Sequence, residues 1–114
     1  MTNPQQIQSV VAALIQATNA FDVAATVALF TPDATIDDPS TGETFDAHDG
    51  IRDYVERFFL GYHTVTVLLS VQPLGDGRTR ARVDFTGDFG HEIGRLDLTL
   101  ADDGLITRID ASLE

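Results

Sequence analysis

The stretch GIRDYVERFFLGYHTVTVLLSV, residues 50–71, changes its hydrophobic period partway along. In its first half Ile51, Tyr54, Val55, Phe58 and Tyr62 recur at helical steps, which places them on one face of a helix. From Thr64 the period falls to two, and TVTVLLSV alternates as a strand does. Gly61 is suited to end the helix between the two regimes. Past this point the chain reads as extended structure to its end.

Upstream of this switch, helical signals dominate. Asn3 and Pro4 read as an N-cap and a first helical residue. Ile7, Val10, Val11, Leu14, Ala17 and Phe21 form one apolar stripe. Asp22 can cap a short second helix, VAATVALF, which must stop near Pro32. A strand through Ile36, a turn at DPSTG and a short strand around Phe45 come next, and Asp49 can cap the third helix. Downstream, LGDGRT offers Asp76-Gly77 as a hairpin turn. TRARVDFTGDF puts Ala81, Val83 and Phe85 on one face, with Arg80, Arg82 and Asp84 on the other. GRLDLTLADDGLITRIDASL supplies two more strands about Asp102-Asp103-Gly104. Helices first and a long meander after them imply an α+β domain over residues 1–114, with the helices packed on one face of a mostly antiparallel sheet.

Composition narrows the function classes. With 43% hydrophobic and 22% charged residues the chain reads as globular. Seven basic residues against eighteen acidic give a formal net charge of -11, a field that repels phosphates. Nucleic acid and anionic membrane are therefore not expected partners. The absence of cysteine excludes disulfides, thiolate zinc sites and cysteine nucleophiles. No leader-like or bilayer-length apolar run appears, so the expected location is the cytoplasm. His48, His63 and His91 lack metal-ligand spacing, and the acidic run between residues 33 and 49 lacks the calcium-loop pattern. The glycines form no dinucleotide or P-loop motif, and no serine sits in a GxSxG elbow. Neither metal nor cofactor is expected.

The chemistry-bearing segment is ATIDDPSTG, residues 34–42. Neighbouring side chains of a strand face opposite ways, so Asp38 shares the inward face with Ile36 while Asp37 faces water. An inward carboxylate is unusual in a small domain, because burial disfavours the ion. The bland alternative is an acidic turn residue before proline.

The run NAFDVAATVALFTPDATIDDPSTG followed by GIRDYVERFF resembles the nuclear transport factor 2 (NTF2)-like superfamily, within it the ketosteroid isomerases and SnoaL-like polyketide cyclases. The likeness in element order covers essentially the whole chain, and the motif-level likeness is concentrated in residues 19–52. The resemblance implies a cone-shaped fold with a pocket at one end; many members dimerise through the sheet, and a homodimer formed that way here would meet through a charged, polar outer face. It also places Asp38 at the general base, acting on a small hydrophobic carbonyl substrate in isomerisation or aldol-type cyclisation. In ketosteroid isomerases the base stands opposite one tyrosine and one protonated aspartic acid. Leu14 occupies the tyrosine's place and cannot donate, so Tyr54 is the candidate donor. Asp97 in RLDLTL matches the protonated acid, yet it alternates with Leu96, Leu98 and Leu100. Outward placement in a charge ladder with Arg82 or Arg108 is the competing reading. Leu14, Phe30, Ile36, Phe58, Val83 and Phe85 are the expected pocket-lining residues. Two rivals stand beside the enzyme: a non-catalytic binder of small apolar ligands or dimerising module, and an epoxide-opening enzyme, which needs an inward Asp-Arg-Asp set.

Overall fold

The computed structural model describes residues 4–75 and 77–114. Its elements are α1 (Pro4–Asn19), α2 (Val23–Val27), β1 (Phe30–Asp38), β2 (Glu43–Asp46), α3 (Ala47–Val55), a π-helical turn (Glu56–Leu60), β3 (Val65–Gly75), β4 (Arg78–Gly87), β5 (Gly90–Leu100) and β6 (Ile106–Leu113). Both the Asn3 cap and the Asp76 position of the hairpin turn lie outside the described residues. The six strands form one curved sheet in the order β2-β1-β6-β5-β4-β3. All pairs are antiparallel except β1 with β6, which are parallel. Leu14, Phe30, Ile36, Ile51, Val55, Val83 and Leu98 are among the buried residues that close the core between helices and sheet. Among the described residues no helix is long and apolar enough to cross a membrane.

Three boundaries differ from the sequence reading, each for a local reason. Helix α2 ends at Val27, with Asp22 Oδ1 accepting from the Ala25 N–H at 3.0 Å as its cap. Pro32 lies inside β1 instead of before it. Residues 31–34 fall in the register gap between Phe30 and Thr35, where no ladder hydrogen bond is lost to an imino nitrogen. Helix α3 starts at Ala47, ahead of Asp49. Asp49 occupies the first turn and pairs with Arg52 at 3.7 Å, while Asp46 at the cap accepts from the Thr35 hydroxyl at 3.0 Å. Gly61 does end the helical run, but in right-handed geometry, φ -60. Glycine is required there because a Cβ would stand 2.4 Å from the Arg57 carbonyl oxygen.

The outer face of the sheet gathers Arg80, Arg82, Arg95 and Arg108 against Asp37, Asp84, Asp97 and Asp110. It is not wholly polar: Val65 and Val67 of β3 are 45% and 56% exposed beside it. As the edge strand, β3 would leave backbone groups unpaired. Asn19 at the end of α1 meets this need, since its amide donates to the Thr66 carbonyl at 2.9 Å and accepts from the Thr66 N–H at 2.7 Å. Each bond contributes about 1 kcal/mol net. Asn19→Ala is therefore expected to destabilise the fold by about 2 kcal/mol in urea denaturation.

Candidate functional site

Asp38 closes β1 and is 8% exposed. It faces inward with Ile36, whereas Asp37 turns to the outer face and its carboxylate lies 3.5 Å from Arg108. Three donors hold the Asp38 carboxylate. Oδ1 accepts from the Ser40 N–H at 3.1 Å and the Ser40 hydroxyl at 2.6 Å, a local turn enabled by the Asp-Pro-Ser order. Oδ2 accepts from the Tyr54 hydroxyl at 2.6 Å. A carboxylate oxygen offers about two lone-pair directions, so Oδ1 is saturated and Oδ2 keeps one site.

Tyr54 reaches Asp38 because α3 lies across β1. Its ring is fixed by Phe45 at 4.9 Å and Phe58 at 5.3 Å, centroid to centroid. The phenol pKa is raised well above its ordinary value of 10, first by burial, then by the Asp38 charge and by its hydrogen bond to Asp38. Tyr54 is thus a donor, not a base, throughout the neutral range. The linkage sign follows: the folded state favours the protonated phenol. That contribution is complete below the unfolded tyrosine's pKa of about 10, and it is lost as pH climbs above that value toward the folded one. Tyr54→Phe is accordingly expected to remove no tyrosinate absorbance at or below about pH 10.

Asp38 and Tyr54 open onto a cavity of about 370 Å³, lined also by Phe58, Phe59, Tyr62, Phe85, Phe89 and Glu92. A second, smaller void of about 30 Å³ lies deeper and shares Tyr54, Phe59 and Phe85 with the first. The structure distributes the expected lining residues between them. Phe58 and Phe85 line the larger cavity, while Leu14, Phe30, Ile36 and again Phe85 line the inner void. Val83 lines neither, being fully buried in the sheet opposite Gly94. Gly94 is itself required by close packing, since a Cβ there would meet the Phe85 ring at 2.8 Å.

Asp97 is not at the cavity. It stands directly across from Arg80 in the β4–β5 ladder and accepts two guanidinium hydrogen bonds, at 2.8 and 3.0 Å. The hydrogen bonding from Arg80 holds its carboxyl below the usual range, against a smaller opposing effect of burial. Its partner is thus Arg80, not Arg82 or Arg108, which turn to Glu114 and Asp110. Arg80, Arg82, Arg95 and Arg108 all lie on the outer face, so they supply no arginine to an inward Asp-Arg-Asp set. His48, His63 and His91 contact the Phe30 carbonyl, Asp88 and Asp84 respectively. Among the described residues no group of three or more His, Cys, Asp or Glu side chains could hold a metal.

Several lining residues carried little signal in the sequence. Ser40 was legible only as a neighbour in the Asp-Pro-Ser turn. Phe59 is brought to the cavity by the π-helical turn, which widens the helix there. Phe89 and Glu92 belong to the β4–β5 hairpin, whose two-residue tip folds toward Tyr62, with ring centroids 5.9 Å apart.

A search of curated proteins finds no match. Among solved structures, the fold is similar to that of SalBIII, an epoxide hydrolase/cyclase-like enzyme linked to pyran ring formation in salinomycin. The two are 19% identical with a TM-score of 0.87, covering 100% of this chain and 95% of that one. An NTF2-like protein from Cytophaga hutchinsonii is 13% identical with a TM-score of 0.79, covering 95% and 89%. RV0760c from Mycobacterium tuberculosis, solved with estradiol-17beta-hemisuccinate, is 13% identical with a TM-score of 0.81, covering 96% and 94%. The α+β architecture is thus the NTF2-like fold. A family model, the SnoaL-like domain, matches residues 11–109, and the chain belongs to that family.

Proposed function

We propose that the protein is a small-molecule enzyme in which Asp38 transfers a proton at carbon beside the carbonyl of a hydrophobic substrate. The supporting observation is the buried carboxylate at the wall of an aromatic-lined cavity, oriented by Ser40 and Tyr54 and left with a free lone pair on Oδ2. In this reading Asp38 removes a proton from the α-carbon, and the C–H electrons move into the enolate with charge on the substrate oxygen. As that charge leaves Asp38, the Tyr54 hydroxyl loses its ionic acceptor and turns to the enolate oxygen. Protonated Asp38 then returns the proton to a different carbon, giving isomerisation. Alternatively, the enolate carbon attacks an internal carbonyl and Asp38 protonates the resulting alkoxide, giving an aldol-type cyclisation. The test is a panel of α-deuterated aromatic and alicyclic ketones, followed by NMR for loss of the label. Accelerated loss supports the reading, and tight binding with no acceleration refutes it.

A non-catalytic receptor for small apolar ligands is the second reading. What favours it is the commitment of the Ser40 and Tyr54 hydroxyls to Asp38 itself. A homodimer is part of either reading. The outer sheet face carries arginines and carboxylates in alternation with Val65 and Val67 beside them, a pattern that can pair with its own copy.

A further inference from the structure

The larger cavity has an unbalanced charge. Among the described residues, its only charged lining residues are Asp38 and Glu92. The nearby cation, Arg57, is committed to Glu43 at 2.8 Å and Asp53 at 3.2 Å, and does not line the cavity. Asp38 is engaged by three donors, whereas the Glu92 carboxylate makes no hydrogen bond or ion pair among the described residues. Glu92 sits opposite Phe85 in the β4–β5 ladder, on the cavity side of the sheet. At the same wall Tyr62 and Phe89 meet edge to face, 89° between planes, forming an aromatic corner. Both rings are more than two fifths exposed, so the corner opens to solvent. Ring faces attract cations, and a nearby carboxylate adds a counter-charge.

We infer that the ligand of this cavity carries a protonated amine at its outer end, received by Glu92 and the Tyr62–Phe89 corner, with an apolar body inside. A ligand ending in a carboxylate would meet two carboxylates and no cation. This inference rests on the cavity being the ligand site and does not require Asp38 to be catalytic.

The probes are acetylnaphthalenes bearing an aminomethyl, a hydroxymethyl or a carboxyl group, titrated calorimetrically against three proteins. These are the wild type, Glu92→Gln, and Glu56→Gln as a control that removes one exposed charge away from the cavity. The amine is expected to bind the wild type at least about tenfold more tightly than the carboxylate. Glu92→Gln should remove most of that preference and leave the hydroxymethyl probe unchanged, while Glu56→Gln should alter neither. Equal affinities for the three probes would overturn the proposal. So would an amine affinity that falls equally in both variants, since the preference would then belong to the net charge of the whole protein. If the neutral hydroxymethyl probe binds without amine preference, only the selectivity fails. If no probe binds, the cavity reading fails and takes the inference with it.

Discussion

Asp38→Asn is expected to slow proton exchange at the α-carbon of a bound ketone by about 10²–10⁴, the usual contribution of a positioned general base. The substitution removes the base and very little else. An asparagine carbonyl oxygen can still accept from the Ser40 N–H and hydroxyl, which reach Oδ1 at 3.1 and 2.6 Å. The new amide faces the Tyr54 hydroxyl, which can rotate and accept from it. Fold and cavity should therefore survive, so ligand affinity is expected to stay within a few-fold of wild type while turnover collapses. Parallel calorimetry and deuterium exchange separate the two quantities. A variant that loses binding along with exchange would point to a structural role for Asp38.

The second large effect is Tyr54→Phe. The ring contacts with Phe45 and Phe58 are kept, so the cost falls on the hydroxyl alone. Asp38 Oδ2 loses its protein donor, and a buried polar atom left unpaired costs about 1–3 kcal/mol. If Tyr54 follows the charge onto the enolate oxygen, exchange should also fall by about 10²–10³, as when one oxyanion donor is removed. A loss of stability with undiminished exchange would reduce Tyr54 to a structural anchor for Asp38. Measuring both in the same preparation distinguishes the roles.

The sequence was informative wherever periodicity or parity fixes a side chain's direction. The switch at Gly61 located the passage from the last helix to the long strands, and the alternation around Ile36 separated inward Asp38 from outward Asp37. The same alternation turned Asp97 away from the leucines and toward the charged face. Its partner was misassigned because cross-strand register depends on where the β4–β5 hairpin turns, which alternation along one strand cannot specify. Val83 was correctly inward but core, since facing inward does not distinguish a packed interior from a cavity wall. The Tyr54–Asp38 bond depends on how α3 crosses β1, a tertiary relation between residues 16 apart in the chain. The π-helical turn at Glu56–Leu60 left no mark in the residue pattern, yet it brings Phe59 to the cavity alongside Phe58. Glu92 was hidden for a similar reason: a hairpin residue reads as surface until the cavity beside it is known.

The most direct test of the account is α-deuterium exchange from one saturating aromatic ketone, measured side by side for wild type and Asp38→Asn at matched bound fraction. Rapid loss of the label is expected in the wild type, with a rate lower by at least about 10² in the variant. Equal rates in the two proteins, with the ketone demonstrably bound, would contradict it and leave the cavity as a binding site without proton-transfer chemistry.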